Sequence, residues 1–346
     1  MSTDGTTSSS LPTTTREWHL VSRPHGTPDP SDLALVEVPL PRPADGQVVV
    51  RNTFLSVDPY MRGRMNDTKS YVPPFALDAP MDGGAVGVVV ASAVESVPVG
   101  AEVQHMAGWR EHAVLPADQV RTLDTGTAPA SSYLGALGMP GLTAYVGLTA
   151  VAGLQEGDTV YVSGAAGAVG SMVGQLARKL GAARVIGSAG SAEKVAWLRD
   201  ELGYDEAFDY HDGVAEQLRT LTREDPVDVF FDNVGGETLE AAIGVMAEHG
   251  RLALCGAISG YDDTEPAPGP RNLMLAVARR LTLRGFIVGD HGHLAGEFYR
   301  TVGPWLASGE LRTRETVVEG LDRMVEAFLG LGQGTNTGKM LVSVAG

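Results

Sequence analysis

The stretch Val160-Tyr161-Val162-Ser163-Gly164-Ala165-Ala166-Gly167-Ala168-Val169-Gly170 decides how the rest of the chain is read. Its first four residues form a short β-type run, its glycines mark a tight turn, and a helical pattern opens around Ala168. A strand that turns on glycines into a helix gathers unpaired amides and the positive end of a helix dipole at one point. That arrangement suits a phosphate. Gly167 would let a pyrophosphate approach the backbone, and Gly170 would let helix and sheet pack closely. The spacing Gly-x-x-Gly-x-x-Gly departs from the usual Gly-x-Gly-x-x-Gly. Glycines also make ordinary turns, so the flanking strand and helix carry the reading.

Outward from this turn, residues from about 140 to 300 repeat the same rhythm of apolar strand, turn and helix. Strands are expected at 159–163, 184–187, 227–232, 251–255 and 283–288, with helices at 169–180, 192–202 and 236–248. Alternating units of this size imply an α/β fold with a doubly wound parallel sheet, the Rossmann arrangement. Residues from about 16 to 135 instead hold short β runs punctuated by prolines, such as Gln47-Val48-Val49-Val50-Arg51-Asn52 and Ala85-Val86-Gly87-Val88-Val89-Val90. They suggest a compact barrel-like β domain. A helix at 320–329 and a strand at 338–344 close the chain and are expected to return to that domain. The layout is then a disordered polar tail at 1–15, a β-rich domain at 16–138 and 305–346, and an inserted dinucleotide-binding domain at 139–304.

The second strand identifies the dinucleotide. An NAD site places an acidic residue about twenty residues after the glycine turn, where it holds the ribose 2′-hydroxyl. Here Arg184-Val185-Ile186-Gly187 runs into Ser188-Ala189-Gly190-Ser191, and no acid follows. The small residues leave room for a 2′-phosphate, with Ser188 and Lys194 nearby, so NADPH is favoured over NADH. Glu193 beside Lys194 points about 100° away on a helix.

Composition sets the remaining bounds. A chain of 346 residues suggests two domains, and 43% hydrophobic residues with 44 glycines fit a loop-rich globular α/β protein. A net charge of −16 argues against nucleic-acid or anionic-membrane partners, both of which need basic surfaces. No apolar run is long enough to span a membrane, and residues 1–15 lack the apolar core of a secretory signal. A cytoplasmic location is expected, in keeping with a single cysteine. That one residue, Cys255, cannot supply the four thiolates of a structural zinc, and no metal site is expected. His291 and His293 have a His-x-His spacing but no third neighbouring ligand, and read as a solvated helix start. Cys255 itself reads as a packed residue at a strand end.

From Glu17 to the C-terminus the chain resembles the zinc-independent medium-chain reductases of the leukotriene B4 12-hydroxydehydrogenase and prostaglandin reductase group. The segments that carry the resemblance include Ser56-Val57-Asp58-Pro59-Tyr60-Met61-Arg62, Met139-Pro140-Gly141-Leu142-Thr143-Ala144-Tyr145 and Ala189-Gly190-Ser191-Ala192-Glu193-Lys194. Phe231-Asp232-Asn233-Val234-Gly235-Gly236-Glu237 and Cys255-Gly256-Ala257-Ile258-Ser259 complete the set, in the same order. The resemblance implies a GroES-like β-rich catalytic domain interrupted by the Rossmann domain. It also implies NADPH/NADP+ as cofactor and a homodimer in which the strand containing Phe286, Ile287 and Val288 pairs across the twofold.

Carried over to this chain, the resemblance places Lys194 and Tyr210 at the adenosine 2′-phosphate and Ala166, Gly167, Ala168 and Val169 around the pyrophosphate. Asn233 would sit by the ribose or nicotinamide. Cys255, Gly256, Ala257, Ile258, Ser259 and Tyr261, with Phe286, Ile287 and Val288, would wall the nicotinamide half, and Asn336 would reach in from the tail. Where family members often have Tyr-Asn, this chain has Tyr261-Asp262-Asp263, followed by an acidic, proline-rich loop.

The chemistry implied is reduction of an α,β-unsaturated ketone or aldehyde, hydrophobic and small, at its carbon–carbon double bond. Hydride addition at the β-carbon builds negative charge on the carbonyl oxygen, which hydrogen-bond donors can stabilise without zinc. Tyr261 and Tyr60 are the candidate donors; the alternatives are a pocket-wall role for Tyr261 and packing under the cleft for Tyr60. Two rival functions stay open at this point, an NADPH quinone oxidoreductase and a catalytically idle NADPH-binding redox sensor.

Overall fold

The computed structural model describes residues 11–344. In chain order the first part holds β1 (Thr14–Leu20), β2 (Leu33–Pro39), β3 (Gln47–Ser56), α1 (Tyr60–Arg64), β4 (Ala79–Pro80), β5 (Ala85–Ser92), β6 (Glu102–His105), β7 (His112–Pro116) and β8 (Arg121–Thr122). The middle holds α2 (Met139–Val146), β9 (Thr159–Val162), α3 (Gly170–Lys179), β10 (Arg184–Ala189), α4 (Ala192–Asp200), β11 (Glu206–Asp209), α5 (Val214–Leu221), β12 (Val227–Asp232), α6 (Gly236–Ile243), β13 (Met246–Leu254), α7 (Leu275–Ala278) and β14 (Thr282–Gly285). The chain ends with α8 (Ala295–Ala307), β15 (Glu315–Glu319), α9 (Met324–Gly332) and β16 (Lys339–Ser343).

The six middle strands form one parallel sheet in the order β11-β10-β9-β12-β13-β14. All four residues of β9, Thr159-Val160-Tyr161-Val162, are buried, as expected of a central strand covered on both faces. From β9 the chain winds outward to β11, then crosses back and winds the other way through β12. The reversal lies between β9 and β12, and ligands of such sheets bind beyond the strand ends at this switch point. Ser163, Asn233 and Cys255, which follow β9, β12 and β13, therefore arrive at one edge.

A second, seven-stranded sheet runs β15-β16-β3-β5-β6-β8, with β7 also paired to β3, and β2-β1-β4 form a small third sheet. Val48, Val49 and Val50 of β3 are wholly buried, a β-branched run suited to strand geometry. The last strand, β16, pairs antiparallel with β3 through Leu341, Val342 and Ser343. α9 lies against the same domain, where Phe328 meets Trp109 edge-on at 5.8 Å.

Several boundaries depart from the sequence expectations. The helix expected at 236–248 stops at Ile243, and β13 begins at Met246 rather than 251. Val245 and Met246 enter the core, so the backbone extends after Gly244 and bulges before Arg251 rejoins the ladder opposite Val229. The strand expected at 283–288 ends at Gly285. Its partner β13 ends at Leu254, because the amides of Cys255 and Gly256 turn back to the carbonyl of Asp232, so Phe286, Ile287 and Val288 have no ladder to join. The closing helix begins with a 3-10 turn at Leu321–Arg323 and runs to Gly332, later than the 320–329 expected. β1 starts at Thr14, inside the segment read as a polar tail; residues 1–10 of that tail lie outside the described residues. α8 crosses the expected 304/305 boundary, with Phe298 and Val302 packed into the core around Tyr145.

Within this β-rich part, His105 at the end of β6 is buried, its Nε2 2.9 Å from Asn52 Oδ1 while its Nδ1 accepts the Ala107 amide. Burial, aided by the charge of Arg110, pushes its pKa down to about 4. The unfolded chain, with a histidine pKa near 6.5, therefore binds this proton first, and stability present above that pH is lost as the pH falls toward 4. Urea unfolding should show His105 contributing about 2 kcal/mol less at pH ~5 than at pH ~7.5. A His105→Gln variant with an unchanged pH slope would refute that assignment.

Candidate active site

One cavity of about 1630 Å³ runs across the cleft between the two sheets, and it takes in most of the residues expected from sequence. At its centre is the glycine turn. Gly164 adopts φ +58°, a conformation that favours glycine. A Cβ on Gly170 would stand 2.4 Å from the Gly164 carbonyl oxygen, so helix α3 can start this close only with glycine there. Val169 caps α3 without a side-chain bond. The Ala168 amide faces the Gly338 carbonyl in a parallel bridge between Gly167 and Gly338, whereas among the described residues the amides of Val169 and Gly170 have no acceptor, and both residues line the cavity. Two open donors at a helix N-terminus form a cradle for an anion. The tail holds this turn from above: the Gly338 amide donates to the Ala166 carbonyl at 2.8 Å.

Toward β10, the cavity is walled by Ser188, Gly190, Lys194 and Tyr210. The Ser188 hydroxyl is already engaged, 2.9 Å from the hydroxyl of buried Tyr161. Gly190 lies under the Tyr210 ring, where a Cβ would come within 2.9 Å. Ser191 caps α4 by accepting the Lys194 amide, and Lys194 extends from that first turn across the cleft to the Gly334 carbonyl, at 2.6 Å. Partial burial pushes the pKa of this lysine down from its ordinary value. Its charge, half-buried beside small residues, is placed for a phosphate.

At the switch point, Asp232 organises the loop after β12. Its carboxylate accepts the Ser163 hydroxyl at 2.9 Å and the amides of Val234 and Gly235 at 3.0 Å, while burial pushes its pKa up. Asn233 is then locked, its amide nitrogen donating to the Ser163 carbonyl at 2.7 Å. The next wall holds Cys255, Gly256, Ile258, Ser259, Phe286, Ile287 and Val288. Burial pushes the Cys255 thiol up to about 12, so it stays protonated at neutral pH and is a packing group, not a nucleophile. Ala257 does not face the cavity; its Cβ supports Gly235 and its amide donates to the Tyr261 hydroxyl at 3.4 Å. Asn336 lines the cavity from the tail, with its amide nitrogen bonded to the Gly338 carbonyl.

Tyr60 and Tyr261 both line the cavity, as do Tyr71, Phe75, Met106 and Arg110. Burial pushes both phenols up, Tyr60 with added help from the carboxylate of Asp58, so each keeps its proton in the neutral range. Tyr60 opens α1 two residues after this aspartate, with Pro59 between them. Asp58 accepts from Ser56 and from Lys339, whose Nζ lies 2.9 Å from Asp58 Oδ1 and 2.7 Å from the Val57 carbonyl oxygen. Sequence reasoning passed over Asp58, Lys339 and Tyr71. Nothing local flags a lysine in the last strand, and its partner lies 281 positions away. His291 and His293 sit in a 3-10 stretch, Val288–Leu294, and among the described residues no three His, Cys, Asp or Glu side chains are grouped to hold a metal ion.

Comparison with known proteins agrees with this architecture. Residues 16–123 match the model described as the N-terminal domain of oxidoreductase, and residues 168–308 match that described as zinc-binding dehydrogenase. A putative NADP-dependent oxidoreductase, YfmJ, from Bacillus subtilis (strain 168) is 44% identical over 94% of this chain and 96% of its own length. The NADPH-dependent curcumin reductase of Escherichia coli (strain K12) is 40% identical over 96% of this chain and 97% of its own. The crystal structure of CurA in complex with NADPH from Vibrio vulnificus superposes with a TM-score of 0.90 at 40% identity, covering 96% of this chain and 99% of that one. The chain belongs to the zinc-independent alkenal/enone reductase family of the medium-chain dehydrogenases/reductases.

Proposed function

We propose that this protein reduces the carbon–carbon double bond of α,β-unsaturated ketones or aldehydes with NADPH, without zinc. The observation that carries the reading is that one cavity is lined both by an anion cradle with Lys194 and by two protonated tyrosines. Bound NADPH would supply the hydride. Lys194 and Tyr210 would take the 2′-phosphate, the turn from Ala166 to Val169 with the open amides of Val169 and Gly170 the pyrophosphate, and Asn233 the ribose or nicotinamide. The chain's own chemistry is then to hold the enone carbonyl against a tyrosine hydroxyl and stabilise the negative charge that develops on its oxygen. The apolar wall of Tyr71, Phe75 and Met106 suits a hydrophobic substrate. The names of the relatives above, curcumin reductase among them, support the same reaction class.

The working form would be a cytoplasmic homodimer. β14 is the edge of the six-stranded sheet, and Leu273 and Met274 just before α7 and Val277 within it are exposed, an apolar surface that a second copy would cover.

The direct test follows loss of reduced-nicotinamide absorbance with a trans-2-alkenal, an aryl enone and a naphthoquinone, using NADPH or NADH and adding a chelator. Chelator-insensitive turnover of the enones is expected. Turnover of the quinone alone would reassign the protein as a quinone reductase. NADPH binding with no turnover of any of the three would make it a cofactor-binding sensor. In the same assay Lys194→Ala should raise KM for NADPH by roughly 10- to 100-fold, since a hydrogen bond to a charged group contributes about 1.5–3 kcal/mol. KM for NADH should move less than about twofold, because NADH has no phosphate at this position. Equal losses with both coenzymes would remove Lys194 from the 2′-phosphate site.

A further inference from the structure

Tyr60 and Tyr261 stand on different segments of the cavity wall, and one ion pair lies close behind both. Arg62, two residues after Tyr60, donates from Nε to Oδ1 of Asp262, the residue after Tyr261, at 3.0 Å. Each terminal nitrogen of the guanidinium also donates once, to Asn66 Oδ1 at 2.8 Å and to the Gly26 carbonyl at 2.5 Å, and its side chain is only 7% exposed. Asp262 is held a second time, by the Thr27 hydroxyl on Oδ2 at 3.0 Å. Three segments of the fold thus meet on one carboxylate: the loop after β1, helix α1 and the loop after β13.

Before Tyr261 the loop is tied to the segment after β12, by the amides of Ile258 and Ser259 on the carbonyls of Asn233 and Val234 and by the Ser259 hydroxyl on the Val234 carbonyl at 2.6 Å; from Tyr261 onward it has little else to hold it. Its backbone bonds there, from the Tyr261 amide to Ile258 and from the Asp263 amide to Gly260, are long, at 3.4 and 3.3 Å. The stretch that follows, 264–270, is mostly exposed and rich in proline, and among the described residues its amides make no hydrogen bond. Asp262 is therefore the last firm attachment before a loosely held segment. A rigid guanidinium fork already fixed to α1 is a suitable anchor, because little freedom is lost when the carboxylate docks.

We propose that the Arg62–Asp262 pair is a positioning element that ties the Tyr261 loop to α1 and so fixes the Tyr261 hydroxyl relative to Tyr60 across the cleft. The inference rests on the reading of Tyr261 as the donor to the substrate carbonyl. Misplacement of a reacting group by about 1 Å can cost about 100-fold in rate. Asp262→Ala should accordingly lower kcat on an enone by roughly 10- to 100-fold, with KM for NADPH within about twofold of the native protein. Asp262→Asn keeps an acceptor for the Arg62 Nε–H and should recover kcat to within about threefold.

A second readout is independent of turnover: hydrogen exchange of the amides at 257–263. It should quicken at least about tenfold in Asp262→Ala while the amides of β3 are unaffected. A kcat for Asp262→Ala within twofold of the native value, or a rise in KM alone, would overturn the proposal, as would unaltered exchange. If the native protein reduces no enone, the proposed function fails, and the exchange measurement still decides whether Asp262 is the tether.

Discussion

Replacing Lys339 by methionine is expected to destabilise the folded chain by about 3–5 kcal/mol, read as a lower urea midpoint. The side chains of Lys339 and Asp58 are only 4% and 7% exposed, and the ammonium is the one cation paired with that carboxylate among the described residues. Methionine keeps the aliphatic stem but leaves Asp58 charged and buried with the Ser56 hydroxyl alone. Removing one partner of such a pair costs far more than removing both. The double variant Lys339→Met, Asp58→Leu should therefore regain much of the loss. A single variant within about 1 kcal/mol of the native protein would show that the pair contributes little. The pair also fastens β16 to the segment before Tyr60, and through Gly338 the same strand start holds the glycine turn.

Tyr261→Phe is expected to lower kcat on an enone by roughly 100- to 1000-fold, the range for loss of one oxyanion-site donor, with KM for NADPH nearly unchanged. The hydroxyl accepts one amide, from Ala257, and among the described residues donates to nothing, so its proton is available to a substrate oxygen. Burial keeps the phenol protonated over the neutral range, and the effect should persist across it. Stopped-flow single turnovers separate this loss from product release. A kcat within about threefold of native would leave Tyr261 a wall of the pocket and shift the donor role to Tyr60.

The glycine turn, the alternation of strands and helices and the missing acid after β10 were all legible in windows of a few residues. Lys194, Tyr210, Asn233 and Asn336, carried by resemblance, come together on one cavity. Two boundaries were misread for a common reason. Val245 and Met246 are as apolar as a helix face, and Phe286, Ile287 and Val288 are as apolar as a strand. In both places a hydrogen-bond partner, not residue type, decides the conformation.

By itself the sequence determined the architecture and the class of cofactor, because hydrophobic period, turn glycines and a small-residue loop act over a few neighbours. Only the tertiary structure decided how the site is braced. Lys339 meets Asp58 across 281 positions and Arg62 meets Asp262 across 200. A charged side chain carries no mark of its partner, and read alone each looks like a solvated surface group. The return of β16 to β3 takes Lys339 and Asp58 out of water and pairs them, and the turn of the chain after β13 brings the half-exposed Asp262 onto the buried Arg62 guanidinium. The cost of burying a charge without a partner makes those contacts specific.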